Sequence, residues 1–315
     1  MKVEIDILNY EGADLLEKCV PSIIEAVKKS SHDCKIVVVD NCSTDNSEAL
    51  VKNRFPEVRF YKAKENKVFC SLNEVAASSD ADILLILNND LVVDKNFIDP
   101  LINVFIGNDK VFLSSPKVYN FDGTDIEEGR SVPVLKWGVL KGIAKYKGFE
   151  NDLDKSSYTL QAGFGAFDRK KLLVLNGYDT LYLPGILEDT DIAFRAWRRG
   201  YECRYIPLSV VYHMGSVSFN RRFGNKKRLA ISHRNTYLFM WKNFRDKMTL
   251  FLNVVCIPLR MVYSVFTLKT EIVRGIFWAV WLLPEALKRR REEMAQKDTF
   301  ARSDREIMAL FKYHE

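Results

Sequence analysis

Five consecutive large apolar residues, Ile83 to Leu87, stop abruptly at Asn88-Asn89-Asp90. Such a run reads as a central strand buried on both faces, and its polar end needs an explanation. The neighbouring segments supply the context. Val3–Leu8, Lys35–Asp40 and Val58–Ala63 read as further strands. Between them, Leu15, Leu16, Cys19, Val20, Ile23, Ile24 and Val27 recur at helical spacing, a Ser/Thr/Asp-rich helix start follows Asp40, and a short helix is expected over 71–77. Strands alternating with helices predict βαβ units, an α/β fold and a mainly parallel sheet. Ligands of such sheets bind beyond the carboxyl ends of the strands. Those ends carry Asn9, Asp40-Asn41 and Asn88-Asn89-Asp90, so the polar edge is expected to be a site.

With 315 residues, 47% of them hydrophobic and 12% aromatic, the chain can bury a sizeable core as one large domain or one domain with an appendage. Glu4 and Asp6 interrupt the N-terminus where a secretion signal needs an apolar run. The six cysteines form no paired or metal-binding spacing, which suits reduced thiols in the cytosol. Charge divides unevenly. Residues 217–315 hold 20 Lys and Arg against 9 acids, whereas residues 1–216 hold 27 against 32. An acidic body, 1–216, with a basic helical region, 217–315, implies that the latter meets an anionic surface.

From Tyr119 to Ser157 the pattern loosens, and long loops over the site are expected, as a mobile lid or as a surface insertion without function. Order returns after Tyr158. Ile192, Ala193, Ala196 and Trp197 form the apolar face of a helix that Gly200 should end, with Glu188, Asp189 and Asp191 in its first turn. Two strands, within 202–208 and 210–213, complete the body at His213.

The segments VVVDNCSTD, ENKVFCSLN, LILNNDLVV, NGYDTLYLPGILEDTDIAFRAWRRGY and VVYH, in this order and spacing, resemble the family 2 glycosyltransferases of the GT-A fold, and among them bacterial rhamnosyltransferase-like members of surface polysaccharide assembly. The resemblance spans roughly residues 3–245. It implies a nucleoside-diphosphate sugar donor, a divalent cation (Mn2+ or Mg2+) and a saccharide or lipid-linked saccharide acceptor. Asp90 would hold the cation, which neutralises charge on the leaving diphosphate, and His213 would complete that site. Asn88 lies beside it. An Asx turn and a structural histidine are what these residues amount to outside that pattern. Asp40 would contact the nucleoside, the competing helix-capping role falling to Ser43 or Thr44. Asn9, Asn66 and Asn73 match other nucleotide-side positions, and Gly163 and Gly165 acceptor-side backbone.

By the same match Asp189 is the base that takes the acceptor hydroxyl proton, with Glu188 beside it. Two adjacent carboxylates raise one pKa, which suits proton abstraction. Asp191 and Arg195, four residues apart, would pair and brace the helix. The chain departs from the pattern at Val68, where the family usually has Gly, and at Glu11, where it often has Asn. The Gln-x-x-Arg-Trp signature of processive relatives is absent, which favours addition of single sugars.

Arg221 to Lys247 carries nine Lys and Arg against one acid, with aromatics interleaved. Two apolar stretches follow, the first broken by Pro258 and Arg260. Amphipathic helices lying on the cytoplasmic face of the cell membrane, against anionic lipid, are expected; a purely structural helical cap is the alternative, and nucleic acid is not an expected partner. A sugar nucleotidyltransferase would need a Gly- and Lys-rich loop after the first strand, which Asn9 to Leu16 does not provide. A non-catalytic scaffold that keeps the fold is the other competing reading.

Overall fold

The computed structural model describes residues 1–160, 162–215, 224–296 and 300–311. The first half alternates as β1 (Lys2–Asn9), α1 (Ala13–Lys29), β2 (Asp33–Asp40), α2 (Ser47–Arg54), β3 (Arg59–Lys62), α3 (Leu72–Ser78) and β4 (Ile83–Asn88). Next come β5 (Leu91–Val93), α4 (Ile98–Asn103), β6 (Val111–Asn120), β7 (Ile126–Glu128), β8 (Val132–Lys136), β9 (Val139–Ile143) and β10 (Ser157–Tyr158). The body closes with β11 (Gly165–Asp168), α5 (Arg169–Val174), α6 (Glu188–Arg198) and β12 (Glu202–His213). Four helices follow: α7 (Asn225–Asn243), α8 (Lys247–Phe266), α9 (Thr270–Ala295) and α10 (Asp304–Ala309).

The main sheet runs in the order β3-β2-β1-β4-β11-β6-β12-β10, with β5 and β7 added at β12 and β6. β1 pairs in parallel with β2 and β4, and β2 with β3; β11 runs antiparallel between β4 and β6. The register sets Asn9 opposite Asp40 and Leu8 opposite Asn88, so the polar strand ends do share one edge.

The unbroken apolar run of β4 follows from burial on both faces. Ile83, Leu85 and Leu87 pack with Val3, Ile5, Ile7 and with Leu16, Val20 and Ile23 of α1. Leu84 and Ile86 enter the opposite core with Phe167, Ile192, Trp197 and Phe239. Asp6 also faces that second core, fully buried, with both carboxylate oxygens unpartnered among the described residues. Burial, and then the nearby Glu4, raise its pKa well above the usual carboxylate range.

Three expectations change. The segment from Tyr119 to Ser157 is not a set of long loops. β6 extends to Asn120, and β8 and β9 pair as a hairpin about Trp137-Gly138, whose φ values of 55° and 71° suit a two-residue turn. The two strands expected near the end of the body are one, β12, continuous through a bulge between Ile206 and Val210. The basic stretch beginning at Arg221 divides: Arg221 and Arg222 lie outside the described residues, whereas α7 packs into the body, with Tyr237 to Asn243 buried. Ile272, Ile276 and Ala279 of α9, Ile307 of α10 and Phe311 join the same core.

Candidate functional site

A cavity of about 330 Å³ opens at the carboxyl edge of the sheet, between the ends of β1 and β4 and the start of α6. Asn9, Asn41, Asn66, Val68, Asn88, Asn89, Asp90, Gly163, Asp189 and His213 are among its walls. Its size falls in the range of small-molecule sites, ~300–1,000 Å³.

The floor is a polar clamp between strands. The Asn9 amide donates to Asp40 Oδ1 at 2.9 Å and Ser47 Oγ at 3.0 Å, and its Oδ1 accepts from Asn89 Nδ2 at 2.7 Å. Gly12 makes room for this, because a Cβ there would lie 2.1 Å from Asn89 Nδ2. Asp40, only 1% exposed, accepts from the Ser43 backbone N–H at 2.9 Å and the Ser43 hydroxyl at 2.5 Å. It folds its own loop and is not among the cavity walls. Ser43 and Thr44 do not cap α2, which starts at Ser47. Glu11, with φ 48°, accepts from the Thr44 N–H and hydroxyl and ties the β1 and β2 loops together.

At the rim, Val68 keeps a left-handed backbone, φ 52°. That is a glycine-like conformation carried by a β-branched residue, which costs ~1–2 kcal/mol. Asn66 Oδ1 accepts from its N–H at 3.2 Å, and Asn41 Nδ2 donates to its carbonyl at 3.2 Å. Asn73 is turned away, clamping the N–H and carbonyl of Tyr178 at 2.9 Å each.

Asp90 and His213 meet across the β5–β12 junction, Oδ2 to Nε2 at 3.2 Å, and His213 Nδ1 lies 2.5 Å from Glu127 Oε2. The Asp90 hydrogen bond, together with the second carboxylate, raises the imidazole pKa to about 9. Asp90 Oδ1 is buried with no partner among the described residues. Imidazole stands between the two carboxylates, and among the described residues no group of three or more His, Cys, Asp or Glu converges as a cage.

Three acids in the first turn of α6 have opposite electrostatics. Asp191, fully buried, accepts from Tyr182 Oη (2.8 Å), Arg195 Nε (2.7 Å), Asn243 Nδ2 (2.7 Å) and Lys242 Nζ (2.8 Å). Burial alone would raise its pKa, but Arg195 and Lys242 outweigh it and hold the carboxyl well below the usual range. Glu188 and Asp189 have no such partners among the described residues. Burial first, and for Glu188 the charge of Asp189 next, raise both, Glu188 to about 8. One Glu188 oxygen is buried and unpartnered; Asp189 is half-buried and faces the cavity, where a Cβ on Gly163 would lie 3.6 Å from its Oδ2.

The chain matches glycosyl transferase family 2 over residues 5–173, more than half its length. The chain belongs to that family. No curated protein matches the sequence. Among solved structures, GalNAc-T7 with UDP, GalNAc and Mn2+ aligns at TM-score 0.59 and 18% identity, over 78% of this chain and 48% of that one. The mannosyltransferase PcManGT from Pyrobaculum calidifontis, in complex with GDP-Man and Mn2+, aligns at 0.53 and 16%, over 92% and 86%. S. aureus TarS aligns at 0.52 and 12%, over 79% and 41%. This chain therefore spans about half the length of the first and less of the third. At such identities the likeness shows the fold, which is that of the GT-A glycosyltransferases.

In this family 2 member the structure gathers Asn9, Asn66, Asn88, Asp90, Asp189 and His213 around one cavity, with Glu188 behind and Asp191–Arg195 as a brace. It leaves Asp40 and Asn73 outside as loop clamps. Sequence reasoning missed Glu127 behind His213, for which a pair of acids in a short strand gives no signal. It also missed α7 behind α6. There Asn235 Nδ2 donates to the carbonyls of Tyr182, Gly185 and Ile186, holding a segment in which Ile186 and Leu187 both have φ near 76°.

Proposed function

We propose that this glycosyltransferase moves one sugar, with inversion, from a nucleoside-diphosphate donor to a hydroxyl of a growing or lipid-linked saccharide. The observation that carries the reading is the half-buried Asp189 carboxylate, with no cationic partner among the described residues and a raised pKa, facing the same cavity as Asp90. An acceptor oxygen would attack the anomeric carbon as Asp189 takes its proton, and the bond to the diphosphate oxygen breaks. Glu188 lies buried behind it, and the Asp191 brace fixes the helix start. Asn66 and Asn88 would meet the nucleotide side, above the buried Asn9 clamp.

The residues fit a divalent cation through the orphaned, buried Asp90 Oδ1 and the His213 imidazole beside it. When bound, the cation would stabilise charge on the departing diphosphate. Two solved neighbours carry Mn2+ with UDP or GDP-mannose, which supports a cation and a diphosphate donor here. The Asn-Asn-Asp strand end favours dTDP-rhamnose by its resemblance to rhamnosyltransferases; a UDP-hexose is the second reading, favoured by the UDP-bound neighbours.

Asp189→Asn is expected to abolish transfer while leaving donor affinity within about twofold, read by donor titration and by product formation. Transfer surviving in that variant would remove Asp189 as the base.

A further inference from the structure

α8 is built inside out for a helix in water. The residues it buries most deeply are polar, Asn253 and Ser264, while Phe251, Val255, Val262 and Phe266 point outward, the last at 84% exposure. These four recur at steps of four and seven residues and so form one stripe. The adjacent α9 buries Ile272, Ile276 and Ala279 and turns Phe277 and Trp281 outward, Trp281 at 81% exposure. More than half of the large exposed apolar side chains among the described residues lie between Met248 and Trp281.

The polar side of α8 is occupied by protein. Asn253 accepts from Trp241 Nε1 at 3.0 Å and donates to the Gly138 carbonyl at 2.7 Å. Arg260 reaches the carbonyls of Lys136 and Trp137, the latter at 3.0 Å. The tip of the β8–β9 hairpin is thereby fastened to α8, and Trp137 stands 61% exposed beside it.

Charge narrows the partner. Residues 247–284 hold Lys247, Arg260, Lys269 and Arg274 against Glu271, and the hairpin over 132–143 adds Lys136 and Lys141 with no acid. A symmetric second copy would bring these cations against one another. An anionic bilayer would take the apolar stripe between its headgroups and pair the basic rim with phosphate. α8 is long and apolar enough to cross a membrane, yet its polar side is fixed to the hairpin and α7.

We propose that the outer faces of α8 and α9, with the Trp137 hairpin tip, form one surface that docks in the plane of an anionic lipid bilayer. Docking of this kind is independent of the donor and acceptor chemistry, so it stands or falls separately from the transferase reading. The test is sedimentation of the 315-residue chain with vesicles of phosphatidylcholine alone or with phosphatidylglycerol. The protein should pellet with the anionic vesicles and less so as salt is raised. Phe266→Glu, Trp281→Glu and Trp137→Glu should each weaken binding about tenfold, since each puts a charge in place of a large inserted side chain. All three positions are exposed, and an unchanged thermal midpoint would confirm folding. Wild-type protein staying in solution with anionic vesicles would overturn the proposal. So would self-association, measured by sedimentation velocity, that the same substitutions abolish without any vesicle binding. Full binding by Trp137→Glu would remove the hairpin from the surface.

Discussion

Replacing Lys242 with methionine keeps the aliphatic stem and deletes one buried charge. Lys242 is 2% exposed, and its ammonium lies 2.8 Å from Asp191 and 2.7 Å from Asp179. In the variant, Arg195 still pairs with Asp191, but Asp179 keeps the Leu181 N–H at 2.9 Å and, as its one cation among the described residues, Arg289, whose Nε is 3.8 Å away. Breaking a buried pair by removing one partner costs ~3–5 kcal/mol. The remaining Arg289 contact places the expectation at the lower end, about 3 kcal/mol, a large share of a typical ~5–15 kcal/mol stability. The pH dependence separates charge from packing. In the wild type both Asp179 and Asp191 sit below their ordinary pKa of 3.8, so their stabilisation is present above that value and is lost as pH falls through the folded-state values. Without Lys242, burial dominates at Asp179 and its pKa rises. The deficit should therefore be greatest near pH 8 and shrink towards pH 4.5 as the carboxyl takes up a proton. Urea unfolding of both proteins at the two pH values measures this. A deficit below ~1 kcal/mol, or one equal at both pH values, would refute the buried-charge account.

Asp6 makes the opposite prediction. Its folded-state pKa is raised, so the wild type loses stability as pH rises above 3.8, by up to ~1.4 kcal/mol per pH unit. Asp6→Asn should remove that slope, and parallel unfolding profiles from pH 4 to 7 would show that the carboxyl is not held protonated. At Val68 the left-handed backbone should reverse the usual order of small residues, Val68→Gly being more stable than Val68→Ala by ~1 kcal/mol. Equal midpoints for the two variants would mean that the loop relaxes.

The strand ends were legible because each apolar run stops at a polar residue, and in a parallel sheet all such stops fall on one edge. The α6 start was legible from three acids ahead of an apolar helical face. Which polar residues face the cavity was not. Asp40 and Asn73 are expected as ligand contacts, and the structure engages them with the Ser43 loop and the Tyr178 backbone. A side chain's partner sets its direction, and for Asn73 that partner is over a hundred residues away. α7 misled for the same reason. Its Lys242 lies in the basic stretch expected to meet an anionic membrane surface, yet it holds Asp191, and Asn235 holds the backbone before α6. The β8–β9 hairpin was visible in principle, as alternation about Trp137-Gly138, but Lys136 and Lys141 blurred the pattern.

The most direct test of the central claim is the thermal midpoint of the purified protein with dTDP, UDP, GDP and CDP, each with and without Mn2+. A ligand at a hundred times its Kd stabilises the folded state by ~2.7 kcal/mol, a shift of several degrees. A rise with dTDP or UDP that requires Mn2+ and is lost in Asp90→Asn is the predicted result. A stable protein whose midpoint no nucleotide moves, with or without the metal, would contradict a nucleoside-diphosphate site at this sheet edge.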